Sequence, residues 1–439
     1  MPLKKFNTDS IYNKLVNEED ARVCKAIDEK ACKVVAGNFF LTLISYFFTK
    51  LADAISNTKI ILPWIMHSLN VPVFLISFLV PIRESGSLLP QLFIASYIRK
   101  LPLRKWTWVI GSILQALCIF GIGLVAWNLK GINAGLAIIA LLILMSLARG
   151  LCSVAAKDVI GKTIPKTRRG ALNGLSAMLS GLLVVVLGVY FLLNGEKPFS
   201  SQNFGVLLFI AGVFWILAAI IYSQINEFAG ETQGGGNAFT VAIKKLSILK
   251  TDKPFRLFVI TRALFLCSVL SAPFFVIIAK EHSNDDTYLL GLFILSSGLA
   301  DLLSANFWGK FSDISSKRVM LWGATIATTV GFIVSLIYYF YSQLFSYIWI
   351  MPIIYFVLSI GYQGIRIGRK TYIVDLAEGN KRTDYVAVSN TLIGIILLLS
   401  GSIGTLSSII GVGGIILFLS LVGVVAIFLA KKLPEVQED

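Results

Sequence analysis

The sequence consists largely of apolar runs, each about long enough to cross a lipid bilayer as a helix. A hydrocarbon core of roughly 30 Å needs about 20 predominantly apolar residues, and twelve such runs can be placed along the 439 residues. We predict membrane spans at residues 36–63, 72–98, 106–128, 133–156, 171–193, 204–224, 257–279, 287–309, 318–341, 345–367, 384–408 and 411–430. Lipid satisfies no backbone polar groups, and unbroken apolar runs lack the alternation of a membrane β-barrel. The sequence therefore predicts an all-α integral membrane protein with twelve transmembrane helices.

The formal net charge of +15 reflects where the basic residues lie, since they are concentrated in every second connection between spans. The basic connections are residues 1–35, 99–105, 157–169, 244–256, 310–318, 369–382 and 431–432. This asymmetry follows the positive-inside rule. It predicts a multi-pass protein of the inner (plasma) membrane with both termini in the cytoplasm, and it disfavours a nucleic-acid partner.

The five cysteines and two histidines show no spacing typical of disulfides or metal sites. No Walker loop is present, and no nucleophile and base lie at a recognisable spacing. We therefore expect no metal, no cofactor and no enzymatic activity. The expected partners are the lipid bilayer and a small-molecule substrate, with the protein functioning as a monomer.

The longest polar connection, residues 225–256, separates six spans from six. The predicted parts are a cytoplasmic N-terminal segment 1–35, a six-helix bundle 36–224, a central loop 225–256, a second six-helix bundle 257–430 and a tail 431–439. Three polar residues recur between the halves at a constant separation of 217 residues, pairing Arg149 with Arg366, Asp158 with Asp375 and Asn173 with Asn390. This pattern indicates a parallel duplication, so the two bundles should be pseudo-symmetric.

The connection between spans 8 and 9 carries the most specific motif. Gly309, Asp313, Lys317 and Arg318 occupy the glycine, aspartate and basic-pair positions of a signature known from the major facilitator superfamily, which the whole chain resembles. Two positions differ, since the family's arginine is replaced by Ile314 and its second glycine by Ser316. The subfamily is not assigned. By resemblance the motif is an inner-face latch, in which the glycine allows close helix approach and the aspartate caps or bridges.

The corresponding stretch of the first half, residues 96–105, keeps the basic pair but has Lys100 where the family has aspartate. Asp158, with Arg168 or Arg169 ten residues later, offers a substitute pairing on the inner face. The resemblance implies a secondary transporter that works by alternating access, in which two six-helix halves rock about a central site.

Four charged residues, Lys50, Asp53, Arg83 and Glu84, lie near the middle of spans 1 and 2. A lone ionised side chain in hydrocarbon costs roughly 2.5 to 3.5 kcal/mol, so these should face a polar interior. Lys50 and Asp53 share a helix face and could pair, whereas Arg83 and Glu84 point in different directions. We predict Arg83 near Asp53 or the cavity, and Glu84 near Lys50 or a basic residue of span 4 such as Arg149.

These four residues are the best candidates for binding the substrate and for coupling. The alternative is that they form permanent salt bridges, which only fix the register of spans 1 and 2. Pro81 and Pro90 should kink span 2 around the charges, and Ser85, Gly86 and Ser87 should soften it. A broken helix near the midplane is where transporters place substrate or ion contacts.

Further charges lie toward the cytoplasmic side. Arg262 and Asp301 could pair, while Arg149 and Arg366 could form a symmetric inner gate or contact the substrate. Gln91 and Asn390 could line the pathway. Six basic against three acidic residues within the spans favour an anion as the solute.

The predicted function is secondary active transport of a small solute, coupled to protons through Asp53 or Glu84. One alternative is an exporter of amphipathic compounds or siderophores. Another is a non-transporting receptor or assembly protein on the same fold, which should have a collapsed cavity and permanently paired charges.

Overall fold

The computed structural model describes residues 33–89, 98, 100–194, 200–229, 246–282, 287–376 and 381–437, and all regular elements within these ranges are helical. Ten described helices are long and apolar enough to cross a membrane, and the last of them, 44 residues long, contains two spans. Together with the broken helix of span 2, this gives the twelve predicted spans.

The first half contains spans 1 to 6. Span 1 consists of the helices Val35–Ile55 and Ile61–Ser68, and span 2 of Val73–Ile76 and Leu79–Leu88. Spans 3 to 6 are the helices Lys105–Asn128, Gly131–Thr163, Lys166–Leu193 and Ser201–Ser223.

The second half begins with a short helix, Ile248–Thr251. Span 7 consists of Lys253–Leu264 and Cys267–Glu281, and spans 8 and 9 are Thr287–Ile314 and Ser316–Phe340. The 3₁₀ helix Ser342–Ser346 leads to span 10, Ile350–Asp375. Span 11 runs from Lys381–Ser400 into the 3₁₀ helix Gly401–Leu406. Span 12 lies within the element Ser407–Lys431, whose backbone is broken at Gly411 with φ of 69°.

Some predictions fall on residues outside the described ranges. They concern the N-terminal segment up to residue 32, the end of span 2 with Pro90 and Gln91, and residues 230–245 of the central loop. The side chain of Asn173 also lies outside the description.

The break in span 2 is not where the sequence predicts it. Residues Leu79–Leu88 form a continuous helix that includes Ser85, Gly86 and Ser87. Pro81 lies in the first turn of this helix, where backbone amides have no helical acceptor, so it does not interrupt the hydrogen bonding. The helical interruption lies earlier, at Ser77 and Phe78.

Span 1 has a break that the sequence analysis missed. Its helix stops at Ile55 and resumes at Ile61. Between them, the side-chain oxygen of Asn57 accepts a hydrogen bond from the Lys59 amide at 2.8 Å, which forms a local Asx turn. Asp53 lies in the last turn of the first helical segment and Lys59 lies in the break itself, and both face the centre of the protein.

The two halves pack closely at one face of the membrane domain. We call the face where helices begin or end at Lys105, Lys253 and Lys431 the basic face, and the other the opposite face. Near the opposite face, a Cβ atom on Gly188 of span 5 would lie 2.7 Å from the Leu295 amide nitrogen of span 8. A Cβ atom on Gly291 would lie 2.8 Å from the Leu192 nitrogen. Small residues thus allow the two helices to meet backbone to backbone.

Polar contacts also join the halves near the opposite face. The Ser77 hydroxyl of span 2 donates to the Gly401 carbonyl of span 11 at 2.9 Å. The buried Lys280 ammonium of span 7 donates to the Trp64 carbonyl of span 1 at 3.3 Å and to the Ser68 hydroxyl. The opposite face is therefore closed, and the larger cavities lie toward the basic face.

At the basic face, the segment after span 6 braces the first half. The fully buried Glu227 carboxylate accepts hydrogen bonds from the backbone amides of Arg104 and Lys105, at 3.0 and 2.7 Å. It also pairs with the Lys162 ammonium at 2.9 Å. Glu227 therefore caps the start of span 3 and links it to span 4.

The segment after span 12 contacts the second half in an equivalent way. Glu435 accepts a hydrogen bond from the Ser315 hydroxyl at 2.7 Å, and the Gln437 side chain accepts one from the Ser316 amide at 2.5 Å. These contacts cap the start of span 9. In each half, therefore, the segment that follows the sixth span binds the beginning of the third span and acts as a brace.

Candidate substrate and coupling site

A polar cavity of about 220 Å³ lies between the two halves. Both halves contribute charged side chains to its wall. These are Asp53, Lys59, Arg83, Glu84 and Arg149 from the first half, and Asp301 and Arg366 from the second. The remaining wall is rich in hydroxyl groups, from Ser56, Thr58, Ser268, Ser297, Ser359, Tyr355 and Tyr362. We call this the central cavity.

Asp53 is the centre of an ion cluster that joins spans 1, 2 and 4. Arg149 contacts its two carboxylate oxygens at 2.5 and 2.8 Å, and Arg83 contacts one of them at 2.6 Å. The predicted proximity of Arg83 and Asp53 is confirmed. The Nη1 atom of Arg83 is buried and makes no hydrogen bond within the described structure. Two guanidinium groups around one carboxylate leave the cluster with a net positive charge.

Lys50 does not pair with Asp53, although the two share a helix. The ion pairs of Asp53 that lie within 4.0 Å involve Arg83 and Arg149. Lys50 instead lines a different pocket of about 400 Å³, together with Asp301, Gln363 and Arg366. We call this the side pocket. Arginine competes successfully for the carboxylate because its planar fork matches both oxygens at once.

Glu84 has a different environment from Asp53. Its carboxylate forms no ion pair within 4.0 Å with a described basic residue, so the expected pairing with Lys50 or Arg149 is not found. Glu84 lines both the central cavity and a second cavity toward the basic face. A carboxylate in this position is shared by two compartments and is not held by a salt bridge.

The second cavity, which we call the basic vestibule, has a volume of about 400 Å³. Its charged lining consists of Lys157, Arg262, Arg369 and Lys370, together with Glu84. Arg262 donates to the Ser389 hydroxyl at 2.7 Å and to the Asn390 side-chain oxygen at 2.9 Å. The predicted pair between Arg262 and Asp301 is therefore wrong, because Arg262 is engaged by span 11.

Arg149 and Arg366 occupy equivalent positions in the repeat but have different surroundings. Arg149 is fixed on Asp53, whereas Arg366 lines both the central cavity and the side pocket. In the described part of the chain, neither Arg366 nor Asp301 forms an ion pair within 4.0 Å. The two arginines do not form a symmetric gate in this conformation.

The inner-face pairing of Asp158 also differs from the prediction. Asp158 pairs with Arg104 at 3.2 Å, while Arg169 donates to the backbone carbonyls of Ile164 and Gly161. Asp375, its counterpart in the repeat, accepts a hydrogen bond from the Gln437 amide group at 2.8 Å. Both aspartates therefore lie beside the braces at the starts of spans 3 and 9.

The residues of the inner-face motif make few contacts in this conformation. A Cβ atom on Gly309 would have no neighbour within 4 Å, so this glycine does not serve the close approach that was predicted. Asp313 is exposed, and no described basic side chain lies within 4.0 Å of it. Lys317 follows at the start of span 9, and the Arg318 amide is capped by the Ser315 hydroxyl at 3.2 Å.

Sequence reasoning missed several residues that line the cavities. Lys59 was not among the predicted site residues, but its ammonium lies 3.9 Å from the ring centre of Tyr362 in span 10, within the central cavity. Arg369 and Lys370 were attributed to the positive-inside pattern. They lie three and four residues after Arg366, so all three occupy neighbouring positions on one helix face. This spacing could have indicated that Arg369 and Lys370 line the same pathway as Arg366.

No metal centre is evident in the part of the chain that the structure describes, where no three His, Cys, Asp or Glu side chains come together. The charged side chains that line the cavities can bind and orient a charged solute and neutralise its charge. Glu84 can in addition take up or release a proton.

The fold is shared with several solved transporters. A POT family transporter in complex with 5-aminolevulinic acid is 13% identical, with a TM-score of 0.70 over 90% of this chain and 94% of that one. A D-xylose-proton symporter is 14% identical, with a TM-score of 0.68 over 93% and 98% of the two chains. The nucleoside transporter NupG is 12% identical, with a TM-score of 0.64 over 90% and 98%.

At this level of identity the structures show a common fold, and comparison with curated proteins gives no match. The sequence itself matches the family model of the Major Facilitator Superfamily over residues 39–395. This match covers most of the chain and includes both halves. The fold, the central cavity and the sequence match agree, and the chain belongs to the Major Facilitator Superfamily.

Proposed function

We propose that the protein is a secondary active transporter that moves a small anionic solute across the inner membrane by alternating access, coupled to protons. The observation that carries this proposal is the central cavity, because charged residues of both halves meet there while the opposite face is closed. A site between two rocking halves can be exposed to each side of the membrane in turn.

The charge of the pathway favours an anion. Around the three cavities, the basic residues outnumber the acidic ones by nine to three. The basic residues are Lys50, Lys59, Arg83, Arg149, Lys157, Arg262, Arg366, Arg369 and Lys370, and the acidic ones are Asp53, Glu84 and Asp301. Such a field attracts anions, and arginine binds carboxylate or phosphate groups particularly well.

Glu84 is the better candidate for proton coupling. Protonation of Asp53 would break the contacts to Arg83 and Arg149, whereas Glu84 forms no ion pair with a described residue. An anion that enters the central cavity or the vestibule comes close to Glu84 and repels its negative charge. Uptake of the anion and of a proton would then support each other.

The two alternatives make different demands on the structure. A non-transporting receptor should have a collapsed cavity with paired charges, but the cavities here are open and Glu84, Asp301 and Arg366 form no ion pair in the described part of the chain. These observations support transport. The apolar lining of the vestibule is compatible with an exporter of amphipathic compounds. Measuring the direction of transport distinguishes such an exporter from an importer.

The membrane topology completes the proposal. With the basic face in the cytoplasm, as the positive-inside rule requires, both termini are cytoplasmic. The closure of the opposite face then corresponds to a conformation open toward the cytoplasm. The described structure contains no feature that requires a second copy, and we propose a monomer as the working unit.

Proteoliposomes test the proposal. The purified protein is reconstituted with a pH-sensitive dye inside, organic anions are added outside, and solute-dependent proton movement and labelled uptake are measured. We expect uphill uptake driven by a proton gradient in the wild type. Glu84→Gln should exchange solute across the membrane but not accumulate it. Accumulation that persists in Glu84→Gln would show that coupling does not use this carboxylate.

A further inference from the structure

The basic vestibule combines a cationic end with an apolar wall. We propose that it is a binding site for organic anions that carry an apolar body, such as an aromatic carboxylate or phosphate. The proposal rests on the function proposed above, since it names the class of solute that enters the transport pathway. It concerns a site separate from the central cavity, which is smaller and lined mainly by polar groups.

The cationic end is built from three spans. Lys157 comes from span 4, Arg262 from span 7, and Arg369 and Lys370 from span 10. No described acidic residue lies within 4.0 Å of any of these four side chains. Arg262, Arg369 and Glu84 line the same cavity, so they share one electrostatic environment. Cations collected in one cavity repel each other, and a bound anion relieves this repulsion.

Arg262 is the fixed element of the cationic end. Its two Nη atoms are held by the side chains of Ser389 and Asn390, so its position is set before any ligand arrives. Its Nε atom is buried and has no hydrogen-bond partner within the described structure. An unsatisfied buried donor is costly. The groups that hold Arg262 are neutral, so its positive charge is not cancelled and acts on an anion in the vestibule.

The apolar wall distinguishes organic from inorganic anions. Eight aliphatic side chains contribute to it, among them Leu266, Val386, Ile393 and Leu397. A phosphate or sulfate ion would leave this surface in contact with water. A ligand with an aromatic or aliphatic body would cover it, and a cavity of about 400 Å³ is within the size range of sites for organic ligands.

The vestibule also connects to the central cavity through shared residues. Glu84 and Tyr362 line both compartments. A ligand bound in the vestibule therefore lies next to the carboxylate that we propose for proton coupling. This arrangement makes the vestibule a first binding position on the route between the basic face and the central cavity.

Thermal-shift measurements on the purified full-length protein test the ligand class. The probes are benzoate and phenyl phosphate, compared with inorganic phosphate and with benzylamine as a cation of similar size. We expect saturable stabilisation by both aromatic anions, because a ligand that binds the folded state raises the apparent unfolding temperature. Inorganic phosphate should bind at least tenfold more weakly, and benzylamine should have no effect. Equal stabilisation by benzylamine, or none by either aromatic anion, would overturn the proposal.

Variants locate the site. Arg369→Gln removes a charge that has no ion-pair partner in the described structure, so the fold should be retained. It should weaken both aromatic anions at least tenfold, while Lys250→Gln, an exposed basic residue near the same face, should leave their affinity unchanged. Val386→Ser should weaken the aromatic anions but not inorganic phosphate. If Arg369→Gln and Lys250→Gln bind the aromatic anions equally well, these ligands do not occupy the vestibule.

The binding assay is independent of transport, which keeps the two proposals distinguishable. Binding of aromatic anions without proton-driven uptake would leave the vestibule site standing and refute the coupled transport. Proton-driven uptake of a cationic or neutral solute, with no binding of aromatic anions, would refute the site and leave coupled transport standing.

Discussion

The carboxylate of Asp53 in span 1 is bound by both Nη atoms of Arg149 in span 4, at 2.5 and 2.8 Å. Arg83 of span 2 adds a third contact at 2.6 Å. All three residues belong to the first half of the protein. The cluster can therefore move as a unit with that half, and its exposed edge contributes a preformed group of charges to the central cavity.

Asp53→Asn should destabilise the protein. It leaves two largely buried guanidinium groups without their counter-charge, and breaking a buried pair in this way costs about 3 to 5 kcal/mol. Thermal unfolding in detergent should show a clear decrease in Tm. The double variant Asp53→Asn/Arg149→Gln should recover part of the loss, because one unpaired charge is removed as well. If the two variants show the same Tm as the wild type, the cluster does not hold spans 1, 2 and 4 together.

The contact between Asp53 and Arg83 was accessible to sequence reasoning, whereas the contact with Arg149 was not. Spans 1 and 2 are consecutive, and opposite charges at similar depth in neighbouring helices are expected to meet. Arg149 lies 96 residues from Asp53, and the sequence does not give the rotation of span 4 about its axis. The bilayer limited the possible folds to a helical bundle, which is why the twelve spans could be placed without such information.

Other parts of the structure could not be predicted, because a basic residue near a helix end can either set the membrane topology or line a cavity. Basic residues near helix ends are explained by the positive-inside rule, and this hid the role of Arg369 and Lys370 in the vestibule. Glu227 follows a span in a polar segment and carries no local signal. Its importance comes from the amides of Arg104 and Lys105, which lie more than 120 residues earlier in the chain.

Glu227→Ala should strongly destabilise the first half. The substitution leaves the Lys162 ammonium and the amides of Arg104 and Lys105 without their partner, which we expect to cost about 3 to 5 kcal/mol. Tm in detergent measures the effect. Asp313→Asn is the control, since that carboxylate is exposed and unpaired among the described residues and should change Tm little. Similar Tm values for both variants would contradict a bracing role for Glu227.

A larger residue at Gly188 should open the opposite face. The space for its Cβ atom is already taken by the backbone of Leu295, so Gly188→Leu forces spans 5 and 8 apart where they cross. In an alternating-access protein this shifts the population toward the conformation open on that face. Labelling of Thr58→Cys in the central cavity, in a background without native cysteines, should become faster with an impermeant maleimide added on the opposite side.

Gly174→Leu is the matched control for this experiment, because it lies in the same helix and a Cβ atom there meets nothing within 4 Å. Its labelling rate should equal that of the parent. Equal rates for Gly188→Leu and Gly174→Leu would show that the crossing of spans 5 and 8 does not control access to the cavity.

Lys280→Met should loosen the contact between spans 1 and 7. The Lys280 ammonium is buried, donates to the Trp64 carbonyl and the Ser68 hydroxyl, and lies 4.8 Å from the Trp64 ring centre. Methionine keeps much of the side-chain volume but donates no hydrogen bond, so the helix Ile61–Ser68 loses its polar attachment to span 7. Amide hydrogen exchange in this helix should become faster, since exchange reports local opening. Lys130→Met provides the control, because Lys130 is exposed on the same face. If both substitutions leave exchange in Ile61–Ser68 unchanged, the Lys280 contacts do not hold this helix to span 7.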